Sequence, residues 1–305
     1  MTGVLVVGES LVDIVVRPGR PAAEHVGGSP ANVAIGLARL GRETHLLTRF
    51  GDDDRGDRVA AHLEASGVRL VDGSRQAGRT SSAQATLDAD GAATYSFDLS
   101  WALPVTPLPT EPLAVHTGSI AAVLQPGAST VERILHGAHH HATISYDPNV
   151  RPDLMGTPEN VRPHVESFVA TADVVKLSED DARYVAPGED PETLVASWLR
   201  LGPSVVVLTR GGEGAVAVCA AGRVEVPATR VEVVDTVGAG DSFMSGLIDG
   251  LWRASLLGGS ARSRLAAIEP EALSTVLTHA AAIAAVTVSR PGADPPALAD
   301  LPTPR

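Results

Sequence analysis

Short apolar runs alternate with helical stretches along most of the chain, and this alternation constrains the possible folds more than any other feature. The apolar runs, each bounded by turn or polar residues, are residues 4–7, 44–48, 114–116, 143–146, 174–176 and 205–208. The helical stretches are residues 29–40, 56–66, 129–136, 158–170 and 191–201. Strands separated by helices indicate βαβ units. The sequence therefore predicts an α/β fold with a mostly parallel sheet covered on both faces.

The first predicted helix, residues 29–40, carries signals at both ends. Ser29 is the expected N-cap, Pro30 occupies the first helical position, and Gly41 follows the last turn. These are the residue types that helix ends favour, so we expect the chain to enter and leave this helix sharply.

Residues 79–99 interrupt the alternation. Two β-like runs flank Asp90-Gly91, a dipeptide typical of a hairpin turn. Because no helix stands beside this hairpin, we expect it to project from the main sheet and to form, with residues 13–26, a small β lid over a cleft. The exposed edge of such a lid is suited to pairing between two subunits, which predicts a homodimer. We expect residues 104–112 to be a linker back into the core and the tail after Pro291 to be a surface strap.

Length, charge and cysteine content limit the class of protein. The 305 residues suit one α/β domain with an appendage. A net charge of -12 argues against nucleic acid or an anionic membrane as the main partner, because both require clustered Lys and Arg. The single cysteine, Cys219, cannot form an internal disulfide, which favours a reducing compartment. With no signal peptide pattern and no uncharged apolar run of bilayer length, we expect a cytoplasmic protein.

The segment 233–243, Val-Val-Asp-Thr-Val-Gly-Ala-Gly-Asp-Ser-Phe, carries the clearest chemical signal. We expect a β-rich segment, 223–234, to run into a small-residue turn and then into a helix at 242–251. Such a turn lets the backbone approach a ligand, and the helix start directs free N–H groups and a positive dipole toward an anion. Asp241 at its edge is placed to take a proton from an attacking hydroxyl, as phosphoryl transfer requires. The alternative is a glycine-rich helix start in which Asp241 is only a cap.

With this segment the chain resembles the PfkB (ribokinase-like) family of carbohydrate kinases. Residues 235–243 resemble the family's C-terminal signature. Residues 27–34, Gly-Gly-Ser-Pro-Ala-Asn-Val-Ala, followed by Leu-Ala-Arg-Leu-Gly at 37–41, resemble the N-terminal one, and residues 50–56 resemble the Gly-x-Asp-x-x-Gly turn. The motifs occur in order over about the whole chain. The resemblance implies a ribokinase-like three-layer sandwich and an ATP-dependent sugar kinase.

The resemblance also implies roles for individual residues. Asp241 matches the catalytic base, and Gly238, Ala239 and Gly240 match the anion hole. Positions that bind sugar hydroxyls in the family are matched by Asp13, Gly27, Gly28 and Asn32. An amide inside an apolar helix, as at Asn32, needs a buried partner. Taken alone, the two glycines would be a plain loop and Asp13 a strand-end cap.

A nucleotide site is implied by the segment 208–215, Leu-Thr-Arg-Gly-Gly-Glu-Gly-Ala, which resembles the family's nucleotide-contacting turn. The residues it assigns to ATP are Thr209, Arg210, Gly211, Gly212 and Gly214. Residues 280–286 are expected to complete the adenine pocket, with Ala281 at a position where the family often has Asn. Without the other motifs these glycines would be simple hairpin residues.

Metal binding is implied by residues 176–181, Lys-Leu-Ser-Glu-Asp-Asp, where the family's Asn-x-x-Glu motif appears as Ser178-x-x-Asp181. Carboxylates at a strand end suit Mg²⁺, so Asp181 and Glu179 are its predicted ligands. The alternative is an acidic helix N-terminus favoured by the helix dipole. Asp235 matches the region where several family members hold a monovalent cation, so K⁺ is a further candidate.

Residues 147–151, Asp-Pro-Asn-Val-Arg, resemble the Asp-x-Asn-x-Arg element of fructokinases and 2-keto-3-deoxygluconate kinases. Arg151 is therefore expected to meet the transferred phosphate or a substrate carboxylate. A surface arginine in a proline-rich loop is the alternative. The element, together with residues 8–13, favours fructose as the acceptor, with 2-keto-3-deoxygluconate, ribose or a nucleoside as alternatives within the family.

Other classes of function fit less well. A non-catalytic sugar-binding protein on the same fold would not need Asp241. A nicotinamide-dependent oxidoreductase lacks its Gly-x-Gly-x-x-Gly fingerprint here. A P-loop is excluded, because Lys176 is the only lysine and no Gly-Lys-Ser/Thr occurs. The run His139-His140-His141 is predicted as a solvated loop, since adjacent histidines point in different directions.

Overall fold

A nine-stranded sheet forms the centre of the computed structural model, which describes residues 3–88, 93–104 and 111–301. In spatial order its strands are β15 (Gly222–Val226), β14 (Ala215–Cys219), β13 (Val205–Thr209), β12 (Val174–Ser178), β11 (Thr143–Asp147), β10 (Ala114–Gly118), β1 (Gly3–Val7), β4 (Glu43–Leu47) and β6 (Arg69–Leu70). Pairing is parallel from β13 through β6, whereas β14 and β15 are antiparallel. The predicted mostly parallel sheet is confirmed.

Helices cover both faces of this sheet. One face carries α1 (Ser29–Arg39), α2 (Asp54–Ala65), α8 (Ala239–Arg253) and α10 (Pro270–Val288), and the other carries α3 (Gly127–Ala138), α5 (Pro158–Thr171), α6 (Glu179–Val185) and α7 (Pro191–Leu199). Two short helices, α4 (Pro152–Met155) and α9 (Arg262–Ala266), complete the set within the described residues. Successive strand residues point to opposite faces, so Val4 and Val6 join one core cluster while Leu5 and Val7 join the other. The result is the expected three-layer sandwich.

A second, smaller sheet stands beside the main one. Its four strands, in spatial order, are β3 (Ala23–Gly27), β2 (Leu11–Val16), β8 (Ser82–Leu87) and β9 (Ala93–Asp98). The hairpin expected within residues 79–99 is present, because β8 and β9 pair antiparallel. Its predicted turn at Asp90-Gly91 lies outside the described residues, as do residues 105–110 of the predicted linker. A pair of two-residue strands, β5 (Phe50–Gly51) and β7 (Arg75–Gln76), also forms.

Three predicted boundaries were wrong. The β-rich segment 223–234 contributes a strand only as far as Val226, because Pro227 has no N–H to continue the ladder. The next helix starts at Ala239 rather than at residue 242, since the small-residue turn itself forms the first helical turn. Ser29 is the first residue of α1 and not its N-cap, which is Gly28. The Ser29 hydroxyl donates a hydrogen bond to Asp241 instead.

The longest helix, α10, is long and apolar enough to cross a membrane, with a mean hydropathy of 1.4. It packs against α8 and β15, and Leu273, Leu277 and Ile283 are buried. This is the environment of a core helix, whose apolar surface is covered by the protein itself.

Candidate active site

The N-terminus of α8 holds the predicted catalytic carboxylate. Gly238 caps the helix with φ 76, a left-handed conformation that favours glycine, and a Cβ there would lie 2.6 Å from that of Ala293. Asp241 occupies the third helical position and is 8% exposed. The N–H groups of Gly240 and Asp241 belong to the first turn, which has no intrahelical acceptors for them. The predicted anion hole is altered at Ala239, whose N–H donates to the carbonyl oxygen of Thr236 at 3.2 Å.

Two side chains of α1 hold the Asp241 carboxylate. The Ser29 hydroxyl donates to Oδ1 at 2.6 Å, and Asn32 Nδ2 donates to Oδ2 at 2.8 Å. The buried partner that Asn32 required is therefore Asp241 itself. Ser29 was not predicted as a site residue, and its position directly before Pro30 gave only a capping signal. Hydrogen bonds to both oxygens fix the plane of the carboxylate.

The predicted sugar residues lie together at the junction of β2, β3 and α1. The carboxylate of Asp13 lies so close to Gly27 that a Cβ on that glycine would overlap Oδ2. Gly28 has φ 111, and a Cβ there would lie 2.5 Å from the carbonyl oxygen of Glu9. Both glycines allow this close approach of neighbouring protein atoms, and their contact with a sugar stays a prediction.

Glu9 is a buried carboxyl group that sequence analysis did not assign. Burial raises its pKa to about 7, while hydrogen bonds and the charge of Arg151 act in the opposite direction. Its Oε2 accepts a hydrogen bond from the N–H of Ala121 at 3.2 Å. The signal that could have revealed it is an acidic residue directly after the buried strand β1, in the segment Gly8-Glu9-Ser10.

Arg151 belongs to the sugar side of the site. Its charge lowers the pKa of Asp13, although the surrounding protein has the larger effect and the net shift is upward. Its guanidinium also donates to the side chain of Asn149 at 2.7 Å. The charge of Arg151 thus acts on both Asp13 and Glu9 although its side chain is exposed, and its contact with a phosphate or substrate stays a prediction.

A cleft of about 990 Å³ opens along the carboxyl ends of β12 and β13 and reaches the N-terminus of α8. The predicted nucleotide turn, Thr209 to Gly214, forms one wall. Ala281, Phe243 and Val233 contribute apolar side chains to its lining, and the acidic residues of α6 contribute polar ones. Its size and mixed lining suit a nucleotide, with an apolar pocket for the base and polar groups toward the phosphates.

Arg210, predicted to contact the nucleotide, is held by acidic residues on the wall of the cleft. It forms ion pairs with Glu192, with Glu225 at 3.4 Å and with Glu179 at 3.9 Å. Most of its side chain is covered, with 16% exposed. The carboxylates fix its position, so it shapes the cleft wall more than it offers a mobile cation.

The predicted magnesium ligands are engaged within the protein. Asp181 forms a capping box: Oδ2 accepts from the N–H and hydroxyl of Ser178 at 2.8 and 2.7 Å, and Oδ1 accepts from the N–H of Val150 at 2.7 Å. Glu179 pairs with Arg183 at 2.8 Å. Across the described residues, no group of three or more acidic, histidine or cysteine side chains is arranged to hold a metal ion. Asp181 and Glu179 line the cleft, and their role as Mg²⁺ ligands stays a prediction.

Asp235 closes the loop that precedes α8. Its Oδ1 accepts from the N–H of Val237 at 3.0 Å and its Oδ2 from the N–H of Gly292 at 2.9 Å. These backbone hydrogen bonds lower its pKa. The hydrogen bond with Gly292 joins this loop to the residues after α10. The predicted K⁺ site lies in the same region. The K⁺ site itself stays a prediction.

A buried ion pair lies behind the first turn of α8, where sequence analysis expected none. Lys176 Nζ lies 2.8 Å from Oδ2 of Asp147 and 3.4 Å from the carbonyl oxygen of Gly240. Burial raises the pKa of Asp147 to about 7, although the charge of Lys176 opposes the shift. Asp147 ends β11 and Lys176 lies in the middle of the neighbouring strand β12, so the parallel sheet brings them together.

Comparison with known proteins points to one family. The model of the pfkB family carbohydrate kinases matches residues 1–300. The chain is 32% identical over 281 residues to a fructokinase of Rhizobium leguminosarum bv. trifolii, a match covering 88% of this chain and 85% of that protein. It is 31% identical over 266 residues to the ATP-dependent 6-phosphofructokinase of Thermoanaerobacterium thermosaccharolyticum, covering 81% of each. A solved fructokinase with bound ATP from Xylella fastidiosa superposes with a TM-score of 0.80 at 25% identity, covering 96% of this chain and 94% of that one.

Proposed function

Because the chain belongs to the pfkB family of carbohydrate kinases, we propose that it transfers the γ-phosphate of ATP to the primary 6-hydroxyl of fructose. As a family member it is a phosphotransferase that acts on a sugar hydroxyl. The identity of the sugar and the roles of individual residues belong to the proposal. The observation that carries it is the placement of Asp241 at the N-terminus of α8, hydrogen-bonded to Ser29 and Asn32 of the sugar-side helix.

In the proposed reaction Asp241 is the general base. It takes the proton from the sugar hydroxyl while the hydroxyl oxygen attacks the γ-phosphorus, and the bond from that phosphorus to the oxygen of the ADP leaving group breaks. Charge on the phosphoryl oxygens is stabilised by the first-turn N–H groups of α8 and by the helix dipole. Ser29 and Asn32 keep the carboxylate oriented, which supports proton transfer at a fixed atom.

A neutral sugar suits the acceptor side better than an acid or a phosphosugar. Two carboxyl groups, Asp13 and Glu9, lie near the one arginine that acts on both, Arg151. Arg79, the other cation considered for an acidic substrate, has a side chain that is 81% exposed and faces Asp98 at 3.9 Å. A negatively charged acceptor would meet little net positive charge here, whereas hydroxyl groups find acceptors and donors in Asp13 and Asn32.

ATP occupies the 990 Å³ cleft in this proposal. The base lies in the apolar part, around Ala281, and the phosphates extend past the turn at Gly211, Gly212 and Gly214 to the first turn of α8. Mg²⁺ would neutralise charge on the phosphates of ATP, and Asp181 and Glu179, which line the cleft, are the carboxylates that would hold it. K⁺ near Asp235 stays part of the proposal.

The small sheet, residues 13–26 and 79–99, is proposed as a lid that excludes water during transfer. It also offers the surface for the proposed homodimer. Tyr95 and Phe97 of the edge strand β9 are 57% and 37% exposed, and their rings stack at 6.3 Å. An uncovered edge strand with exposed aromatic side chains is a surface that a second copy could cover. We also propose that the protein is cytoplasmic.

The test is ADP release by the purified protein with Mg-ATP. The acceptors are fructose, 2-keto-3-deoxygluconate, ribose, tagatose, adenosine and fructose 6-phosphate, with potassium present. We expect turnover to be highest with fructose. A preference for fructose 6-phosphate would show that the acceptor is a phosphosugar and not a neutral sugar. No turnover with any acceptor, together with sugar-induced thermal stabilisation, would indicate a sugar-binding protein instead.

A further inference from the structure

Lys176 is the only lysine among the 305 residues, and it is buried in the wall of the cleft. Its side chain is 4% exposed. The ammonium group lies directly behind the first turn of α8, so close that a Cβ on Gly240 would come within 3.0 Å of Nζ. The cation therefore lies beside the backbone of Gly240, a residue whose N–H we assign to the phosphoryl group.

The hydrogen bonding of this pair is incomplete. Lysine carries three N–H donors, and the protein places two oxygen atoms beside Nζ, Oδ2 of Asp147 and the carbonyl oxygen of Gly240. Asp147 is fully buried, and within the described structure its Oδ2 forms the ion pair with Nζ while neither carboxylate oxygen accepts a hydrogen bond. Because Lys176 lines the cleft and Asp147 does not, the group of this pair that a ligand can reach is the ammonium donor.

The charge of Lys176 is maintained despite its burial. Burial alone lowers its pKa, but the carboxylates of Asp147, Asp181 and Asp241 outweigh that effect and the net shift is upward. The same charge, added to the larger effect of burial, lowers the pKa of His116 to about 3. Lys176 is therefore a fixed positive charge at neutral pH in a region of low dielectric, where its interaction with an anion is strong.

We propose that Lys176 is a catalytic residue that contacts the phosphoryl group during transfer, and that Asp147 holds its ammonium group in place for that contact. This inference rests on the proposed kinase reaction and deepens it. Transfer moves negative charge over the phosphoryl oxygens, and a preorganised cation stabilises that charge without reorganisation. Arg210 does not supply this charge, because it is already paired with three glutamates.

The first test uses an ATP analogue that carries an aldehyde, pyridoxal linked through phosphates to adenosine. The aldehyde forms an imine with a nearby amine, and borohydride reduces it to a stable adduct. Because Lys176 is the only side-chain amine, mass spectrometry of peptides assigns the adduct without ambiguity. We expect labelling of Lys176 that ATP prevents. Labelling confined to the N-terminal amine, or labelling of Lys176 that ATP does not prevent, would overturn the proposal.

The second test separates catalysis from structural support. We expect Lys176→Met to lower kcat by a factor on the order of 10² to 10³, with the Kd for ATP changed less than tenfold. The double variant Lys176→Met with Asp147→Asn removes both members of the pair and should recover thermal stability, because no lone buried charge remains. If kcat recovers together with stability, Lys176 is only a structural residue and the proposal is overturned.

The control variant is Arg200→Met, which removes an exposed cation on the far side of α7. Its kcat should equal that of the wild type. The outcome also distinguishes this inference from the proposed function. A wild-type enzyme that turns over no acceptor would contradict the kinase assignment, whereas an active wild type with an equally active Lys176→Met variant would contradict only the role of Lys176.

Discussion

Asn32 donates a hydrogen bond to Oδ2 of Asp241 at 2.8 Å, although 209 positions separate the two residues in the sequence. The bond joins α1, which carries the sugar-side motif, to the first turn of α8, which carries the phosphate-side motif. The same amide that contacts the base lies beside the proposed sugar position. The geometry therefore couples the orientation of the base to the place where the acceptor hydroxyl is expected.

Replacing the base should abolish turnover and spare binding. In Asp241→Asn we expect kcat to fall by a factor of about 10² or more, because an amide cannot accept the hydroxyl proton. The Kd for fructose, measured by calorimetry, should stay within threefold, about 0.7 kcal/mol. Asp153→Asn, an exposed carboxylate on α4, is the matched control. Wild-type turnover in Asp241→Asn would remove this residue from the mechanism.

A methyl group at residue 27 should weaken sugar binding selectively. In Gly27→Ala the added Cβ overlaps Oδ2 of Asp13, so we expect the carboxylate to move and the KM for the sugar to rise by roughly tenfold, about 1.4 kcal/mol. The KM for ATP should not change, because the nucleotide turn lies on other elements. Steady-state kinetics with each substrate varied in turn measures both.

The matched control for that variant is Gly137→Ala. Gly137 lies in α3, and a Cβ there meets no atom within 4 Å. Alanine is the better helix former, so this variant should gain about 0.5 to 1 kcal/mol of stability and keep both KM values. An equal rise in the sugar KM for the two variants would show that the effect at residue 27 is not local.

Glu9 should make the stability of the protein depend on pH. Its pKa is raised from 4.5 to about 7 in the folded state, so the native state binds the proton more tightly than the unfolded chain does. The stabilising effect of protonation is complete below the unfolded pKa and is lost as pH rises through the folded one. The loss has an upper bound of about 3 kcal/mol above that window.

The measurement is urea unfolding of the wild type and Glu9→Gln across this pH window. The neutral amide has no proton to lose, and it can still accept from the N–H of Ala121. We expect the variant to gain stability relative to the wild type between pH 5 and pH 8. A difference that is constant with pH would show that Glu9 is ionised throughout the range.

The nucleotide pocket should discriminate weakly between bases. The side chains at its apolar end are Ala281, Ala284, Ala285, Val288 and Phe243. These side chains have no polar group that would lose a hydrogen bond when the wrong base binds. Hydrophobic pockets therefore discriminate weakly between close analogues. We expect kcat/KM for GTP within about tenfold, 1.4 kcal/mol, of that for ATP. A preference for ATP of 10³ or more would mean that backbone groups read the base.

The sequence predicted the parts of the site that depend on local spacing. The Gly-Ala-Gly-Asp segment lies at the N-terminus of α8, the paired glycines directly precede α1, and Asn32 lies within α1, while the roles assigned to these residues stay predictions. The parallel sheet was predictable because apolar runs and helices alternate at regular intervals. These features are determined by the backbone conformation of a few neighbouring residues.

The parts that were missed depend on contacts between distant segments. Nothing near Ser29 indicates that its hydroxyl binds Asp241, and a capping role was the simpler local interpretation. Lys176 lies in the middle of β12 and Asp147 ends β11, and only the strand order makes them neighbours. Such a pair can be predicted only when the strand order is known. The wrong strand boundary after Val226 differs, because Pro227 was visible in the sequence and its missing donor decided the end of the strand.

The 209-residue separation between Asn32 and Asp241 also has a consequence during synthesis of the chain on the ribosome. A chain that emerges from the ribosome in order presents α1 early, with an amide whose partner has not yet been synthesised. The carboxylate, its two hydrogen-bond donors and the close contact between α8 and α10 can assemble only when translation is nearly complete. A chain whose α8 has not yet been synthesised therefore lacks the pairing of the Asp241 carboxylate with its two donors.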